Sequence, residues 1–170
     1  MAVRVIRPAQ PEDFNELLKL RRDYCQQVYK GFDVLCDLQD DHEFEAAFRQ
    51  WLSDPSVRVS LLYLDDALMA FLAYRLPSPA SGEILDLQWL PGVSLQDLQV
   101  LVDAILKEMT GMDASYVEVW VLRDNLRARF HYQQFGFKPV GGTRDKAVGG
   151  TTLPFTRYVC CLKECPPDDI

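Results

Sequence analysis

Histidine and closely spaced cysteine pairs are scarce in this chain, and an excess of positive charge is absent. There are two histidines and five cysteines, with no C-x-x-C pair. Zinc sites commonly use such a pair, so we expect no metal centre. The 25 acidic residues exceed the 18 basic ones, which gives a net charge of −7. A nucleic acid is therefore not an expected partner, because it requires clustered Lys and Arg.

Long apolar runs are lacking as well. No stretch approaches the roughly 18 apolar residues that cross a bilayer, and residues 1–8 lack the apolar segment of a signal peptide. An odd number of cysteines without a C-x-x-C pair is typical of reduced thiols in a cytoplasm. We expect a cytoplasmic protein without membrane association, in which five thiols are free: Cys25, Cys36, Cys160, Cys161 and Cys165.

The length of the chain is that of one domain. Its 170 residues contain no internal repeat and no low-complexity linker, and a domain of this size buries a sizeable core. We therefore predict a single domain over residues 1–170, in which residues 165–170 form a flexible tail.

Apolar residues alternate along the chain between the period of a strand and the period of a helix. A hairpin turn is predicted at Asp65-Asp66, since aspartate tolerates positive φ. The order β-α-α-β-β-β-α-β-α-β-β predicts an α/β fold with a mixed sheet and helices on both faces. Strands are predicted within residues 3–6, 57–76 (two strands), 84–90, 116–121, 138–141 and 155–162, and helices within 11–30, 44–54, 98–111 and 125–135.

The segment from Asn125 to Phe137 carries the most informative pattern. Asn125 is suited to cap a helix, Ala128 and Tyr132 follow it by three and seven residues, and Gly136 ends the helix. This pattern resembles the second signature of the GNAT N-acetyltransferase superfamily. The resemblance covers essentially the whole order of elements and implies the GNAT fold.

The resemblance also implies roles for three of these residues. In the family the matching tyrosine protonates the departing coenzyme A thiolate, so Tyr132 is the candidate general acid, and a phenol with a pKa near 10 suits that role at neutral pH. Asn125 and Ala128 are assigned to cofactor binding. The alternative is that Tyr132 is a core residue whose hydroxyl has another partner and that Asn125 is only a helix cap.

The family's other signature, a glycine-rich phosphate loop after the third long strand, is not matched. Its Arg, Gly, Gly and Gly/Ala positions align with Ser94, Leu95, Asp97 and Gln99, and only Leu98 keeps the pattern. Small residues are needed in such a loop because phosphates contact the main chain. The resemblance still assigns this segment to the cofactor, through Leu90, Ser94, Leu95, Gln96, Asp97, Leu98 and Gln99.

The loop sequence instead predicts a capping box. Ser94 would accept a hydrogen bond from the N–H of Asp97, and Asp97 would reach back. Asp97 also adds a negative charge, and a like-charge contact at 4 Å costs about 4 kcal/mol at an effective dielectric of 20, against about 0.3–1 kcal/mol returned by the helix dipole. We therefore expect acetyl-CoA, or another acyl-CoA, to bind weakly.

The strand before this loop supplies a candidate base. Family members often carry Ile-Glu-Asp-Leu here, whereas this chain has Ile84-Leu85-Asp86-Leu87, so Leu85 occupies the position of the glutamate. Glu83 lies on the same side of a regular strand as Leu85 and is the candidate base. The alternative is a solvated acid at the end of a strand.

The sequence favours an acyl-CoA-dependent N-acyltransferase acting on a small-molecule or peptide amine. The alternative is a catalytically inactive GNAT-fold module with a binding or regulatory role, because the phosphate loop is degenerate. The acidic loop at residues 32–41 either attracts a protonated amine or caps the adjacent helices. The sequence leaves the acceptor unidentified and a homodimer open.

Overall fold

The computed structural model describes residues 2–28, 41–148 and 151–164. The acidic loop at residues 32–40, Cys36, Cys165 and the tail at residues 165–170 lie outside this range. Strands occupy β1 (Arg4–Pro8), β2 (Val57–Leu64), β3 (Ala67–Arg75), β4 (Ser81–Trp89), β5 (Tyr116–Leu122), β6 (Lys138–Val148) and β7 (Thr151–Cys161). Helices occupy α1 (Phe14–Val28, after a 3₁₀ turn at Pro11–Asp13), α2 (Asp41–Ser53), α3 (Leu95–Gly111) and α4 (Leu126–Gln134).

The strands form one mixed sheet in the order β1-β2-β3-β4-β5-β7-β6. The predicted fold class and element order are confirmed. The β2–β3 turn is also where it was predicted, with φ of 48° at Asp65 and 65° at Asp66. Positive φ at both central residues gives the tight turn whose twist matches the flanking strands.

The core is divided by the sheet into two apolar clusters. One joins α1 and α2 to the sheet and contains Leu17, Phe44, Phe48 and Phe71. The other joins α3 and α4 to the opposite face and contains Leu98, Leu101, Met109, Tyr132 and Tyr158. Helices therefore cover both faces, as a mixed sheet with two apolar sides requires.

The last hairpin is longer than the sequence predicted. β6 extends to Val148 rather than residue 141, and β7 begins at Thr151 rather than residue 155. Residues 141–147 are exposed, so this part of β6 has no buried face and no apolar alternation to reveal it. The β4 strand likewise begins at Ser81 instead of Ile84.

β4 and β5 are adjacent and parallel, as predicted. Their pairing extends from Ser81 opposite Tyr116 to Ile84 opposite Val119 and then ends. β4 continues to Trp89 and β5 to Leu122. The carboxyl ends of the two strands are therefore separated, and a gap opens in the middle of the sheet.

Three further features bear on the sequence-based expectations. Among the described cysteines, Cys25, Cys160 and Cys161 form no disulfide with one another. Among the described helices none has the length and apolar character needed to cross a bilayer. Within the same part of the chain, His, Cys, Asp and Glu side chains do not gather in groups of three or more that could hold a metal ion.

Gly82 lies against Met109 of α3, at the paired end of β4. A Cβ atom there would lie 2.1 Å from Met109 Sδ and 3.2 Å from the Arg75 carbonyl oxygen. We expect Gly82→Ala to lower the free energy of unfolding by about 1–3 kcal/mol through overpacking, measured by urea denaturation. Gly111→Ala is the matched control, since a Cβ there meets nothing within 4 Å. Equal stability of the two variants would contradict the close contact.

Candidate active site

The separation of β4 and β5 opens a cavity of about 550 Å³. Its lining includes Phe44 and Trp51 from α2 on one face of the sheet, and Ala128 and Tyr132 from α4 on the other. The cavity therefore reaches both faces of the sheet through the gap.

Backbone donors of β4 point into this gap. The N–H of Leu90 donates to the carbonyl oxygen of Met69 at 2.8 Å, which directs it toward β3. Successive residues of a strand direct their N–H groups to opposite sides. Leu87 and Trp89 therefore direct theirs toward β5, beyond the point where β4–β5 pairing ends. The amide of Leu87 forms a hydrogen bond with the carboxyl of Asp86, so the amide available to a ligand in the gap is that of Trp89 rather than that of Leu90.

A bulge in β4 decides which way its polar residues face. Tyr74 pairs with Ile84 and Ala73 pairs with Asp86, so Leu85 is an extra residue between two register positions. Ile84 belongs to the cluster under α3, whereas Ala73, opposite Asp86, belongs to the cluster under α1 and α2. The bulge thus turns Asp86 toward α1 and α2, the face that Leu85 also occupies.

Asp86 is an acid in the lining of the cavity whose ionisation is perturbed. Burial raises the pKa of its carboxyl to about 6, although the amide of Gln88 and the positive charges of Arg21 and Lys146 act in the opposite direction. A carboxylate with a pKa near neutrality is suited to receive and release protons. Asp86 was not among the catalytic residues predicted from the sequence. The feature that could have indicated it is an acid between two leucines of a buried strand.

Gln88 lies beside Asp86 and is 6% exposed. Its Nε2 donates to Asp86 Oδ2 at 3.0 Å, while its Oε1 has no hydrogen-bond partner among the described residues. A buried carbonyl oxygen without a partner is costly. Because Gln88 lines the cavity, this oxygen is available to a ligand that donates a hydrogen bond.

Glu83, the base candidate selected from the sequence, also lines the cavity but is held differently. Its Oε2 accepts a hydrogen bond from Arg75 Nη1 at 3.1 Å, and the residue pairs with Glu118 in the hydrogen-bonded part of β4 and β5. Asp86 lies past the end of that pairing, within the gap. The geometry therefore favours Asp86 over Glu83 as the base.

Tyr132 and the cap of α4 border the opposite side of the gap. Tyr132 is 6% exposed, and its ring lies edge-on to Phe137 at a centroid distance of 5.5 Å. Asn125 Oδ1 accepts a hydrogen bond from the N–H of Ala128 at 3.0 Å, as predicted for a cap. All three sequence-predicted residues of α4, Tyr132, Asn125 and Ala128, line the cavity.

An aromatic row marks the end of β4. The Trp89 ring lies 5.1 Å from Tyr24 of α1 and 4.9 Å from His131 of α4, measured between centroids. The guanidinium of Arg127 lies over the same indole at 5.5 Å. These contacts join α1 to α4 across the end of β4.

The start of α3 is capped as predicted, with one partner that the sequence did not reveal. Ser94 Oγ accepts from the N–H of Asp97 at 3.0 Å and donates to Asp97 Oδ2 at 2.5 Å. Asp97 Oδ1 in turn accepts from Arg4 Nε at 2.6 Å. The hydrogen bonds of Ser94 and Arg4 lower the pKa of Asp97. The repulsion expected from the sequence assumed that Asp97 is an isolated charge. In the structure Asp97 is paired with Arg4 of β1, so its repulsion of a phosphate is weaker than expected.

The other residues of the degenerate loop have mixed environments. Leu98 is fully buried in the core, and Leu95 is 37% exposed. Gln99 Nε2 donates to Asp103 Oδ1 at 2.6 Å along α3. The N–H groups of Leu95 and Gln96 are in the first turn, where a helix provides no internal acceptor. Two main-chain donors therefore remain at this helix start.

These features suit acyl-CoA in the gap better than at the loop. The gap offers the strand amide of Trp89 and a cavity that reaches both faces of the sheet, which leaves room for an extended thioester arm. The loop offers the two amides at residues 95 and 96 and the cations Arg4 and Arg127, but Leu95, Asp97 and Gln99 replace its small residues. The residues present therefore suit the acyl-bearing arm and provide fewer main-chain contacts for a diphosphate.

Comparison with known proteins agrees with this geometry. No family model matches the chain. A mycothiol acetyltransferase of Beutenbergia cavernae is 37% identical over 87 residues, which make up 48% of this chain and 29% of that protein. The match thus spans less than a third of the relative's length.

Solved structures resemble the chain over almost its entire length. A PaiA N-acetyltransferase from Thermoplasma acidophilum, in complex with coenzyme A, has a TM-score of 0.73 and 17% identity, over 94% of this chain and 99% of that one. A GCN5-related N-acetyltransferase from Rhodopseudomonas palustris has a TM-score of 0.73 and 18% identity, over 95% and 98%. The chain therefore has the GNAT N-acetyltransferase fold. This confirms the fold that the resemblance at residues 125–137 implied.

Proposed function

We propose that the protein is an N-acyltransferase that moves an acyl group from acyl-CoA to an amine acceptor. The observation that carries the proposal is the gap between β4 and β5, which has the carboxyl of Asp86 on one face and the phenol of Tyr132 on the other. An acyl transfer needs a proton acceptor on the side of the amine and a proton donor on the side of the leaving sulfur. The acyl-CoA supplies a thioester that is already activated.

Three groups of the chain divide the work. Asp86 receives the proton that the acceptor ammonium must lose before its nitrogen can attack. The N–H group of Trp89 stabilises the negative charge that develops on the carbonyl oxygen, which is commonly the largest single contribution to such catalysis. Tyr132 donates its hydroxyl proton to the departing thiolate. Holding amine and thioester together in one cavity supplies much of the remaining rate enhancement.

The cofactor residues proposed from the sequence remain proposals. Asn125 and Ala128 border the gap, and the segment from Ser94 to Gln99 lies at the start of α3. We propose that this segment, with Arg4, contacts the diphosphate weakly, since Ser94 already accepts from the N–H of Asp97. Leu90 contributes packing rather than its amide, because that N–H is bonded to Met69.

A non-catalytic binding module is the second candidate. The observation in its favour is the closed cap, in which Ser94, Asp97 and Arg4 satisfy one another. Calorimetric titration with acetyl-CoA, followed by a product assay with amines, separates the two candidates. Absence of both binding and product would favour the module.

The Arg4–Asp97 pair provides the first test of cofactor binding. In Asp97→Asn the guanidinium of Arg4 loses its carboxylate and becomes available to a phosphate, so we expect acetyl-CoA to bind up to about tenfold more tightly, as one charge-assisted hydrogen bond allows. Arg4→Gln leaves Asp97 unpaired and should weaken binding. Calorimetry measures both. Unchanged affinity in both variants would show that the diphosphate is held elsewhere, for instance by Arg123 or Arg127.

The pH dependence of acyl transfer tests the base. Asp86 with a pKa of about 6 is protonated below that pH and cannot accept a proton, so kcat/KM should fall as pH decreases through about 6. Asp86→Asn should lower kcat by about 10²–10⁴-fold and remove this acidic limb. Glu83→Gln is the control and should keep the limb. The reverse pattern would assign the base to Glu83.

Tyr132→Phe tests the acid. Removing the hydroxyl while keeping the ring should preserve packing against Phe137 and lower kcat by about a hundredfold. The affinity for acetyl-CoA, measured by calorimetry, should stay the same. A variant with the wild-type kcat would leave Tyr132 as a core residue.

A further inference from the structure

The part of the cavity on the α1/α2 face of the sheet has charged groups of opposite sign on two walls. β4 supplies Asp86 and Gln88, and β6 supplies Arg144 and Lys146. We call this part the acceptor chamber. It lies on the side of the gap away from Tyr132, where the amine of the proposed reaction would bind.

The cations of β6 are held over aromatic rings. The Arg144 guanidinium carbon lies 4.4 Å from the Trp120 ring centroid, and Lys146 Nζ lies 5.8 Å from that of Phe155. Arg144 pairs with Phe155 and Lys146 with Leu153 across the β6–β7 hairpin, so both side chains are on the same face of β6. A guanidinium or ammonium over a ring is positioned without losing its hydrogen-bond donors.

Neither cation has a carboxylate of the described residues within the distance of an ion pair. Within the described part of the chain, no ion pair includes Arg144 or Lys146. Glu83 also lines the cavity, but its carboxylate is paired with Arg75. In a protein of net charge −7, two cations without an ion pair at the rim of the cavity form a candidate site for an anion.

The β4 wall has the opposite character. It presents the carboxyl oxygens of Asp86 and the unpartnered Oε1 of Gln88, and Gln88 is 6% exposed. These atoms accept hydrogen bonds, and a primary amine has hydrogen-bond donors to give. The charge of Lys146 is close enough to lower the pKa of Asp86. The β4 wall and the β6 wall therefore border the same cavity.

We propose that the acceptor is a primary amine that also carries an anionic group, a carboxylate or a phosphate. The amine binds at Asp86 and Gln88, and the anion binds between Arg144 and Lys146. The inference rests on the proposed function for the chemistry of the gap, and it adds the class of substrate. An uncharged amine leaves the two cations unused, and a diamine places a second ammonium against them.

Matched series of small amines test the substrate class. The probes are ω-amino acids from glycine to 6-aminohexanoate, each compared with the alkylamine and the diamine of the same carbon number, together with the aminoalkyl phosphates of two and three carbons. Acetylated product is measured by mass spectrometry in the presence of acetyl-CoA. We expect at least one anionic amine to exceed its matched alkylamine in kcat/KM by about 10–100-fold, the value of a hydrogen bond to a charged group.

Two variants locate the selectivity. The double variant Arg144→Met/Lys146→Met should lose most of the preference, because kcat/KM for the anionic amine falls further than for the alkylamine. Lys107→Met, an exposed cation on α3, is the matched control and should retain it. The inference is overturned if an alkylamine or a diamine is preferred, or if the preference survives the double variant.

A binding measurement separates this inference from the proposed function. Saturation-transfer NMR compares 6-aminohexanoate with hexylamine, and 2-aminoethyl phosphate with ethylamine, on wild type and on the double variant, without acyl-CoA. If no amine is acetylated but the anionic probe binds preferentially in wild type alone, the acceptor chamber stands and the acyltransferase proposal fails. If acetylation occurs and neither assay distinguishes the probes, the proposed function stands and the substrate class is wrong.

Discussion

The ladder between β4 and β5 stops at Ile84 and Val119, and the proposed chemistry of the protein depends on this interruption. Unpaired peptide groups in the interior of a sheet are costly unless water or a ligand satisfies them. The interruption therefore keeps the N–H group of Trp89 available in the middle of the molecule. It also lets side chains on the two faces of the sheet reach one cavity.

The polar residues of the gap oppose folding to some extent. Burial raises the pKa of Asp86 to about 6, so the folded state binds a proton that the unfolded chain releases near pH 4. The contribution of this carboxyl to stability is greatest below about pH 4 and is lost as pH rises through about 6. Gln88 adds a buried oxygen without a partner. Buried polar groups that lower stability in this way are typical of ligand-binding and catalytic sites.

At the start of α3, the segment that aligns with the phosphate loop of the GNAT family forms a helix cap instead. The donors that would hold a diphosphate are those that any helix leaves unsatisfied in its first turn. In this chain Ser94 uses one of them, and Asp97 binds Arg4 from β1. Fewer main-chain donors are therefore left for an anion. The cap stabilises the start of α3, and the Arg4–Asp97 ion pair joins β1 to it. The proposed catalysis therefore depends on the gap more than on the loop.

The sequence by itself determined what short-range chemistry controls. The order of elements, the Asp65-Asp66 turn and the caps at Ser94 and Asn125 were all predictable, because each depends on periodicity or on hydrogen bonds between residues close in the chain. Only the tertiary structure decided which residues that are distant in the sequence contact one another. The bulge at Leu85 turned Asp86 toward the acceptor chamber, and the approach of β1 to α3 brought Arg4 to Asp97. Strand register and long-range ion pairs depend on how whole elements pack, and no local pattern in one sequence records them.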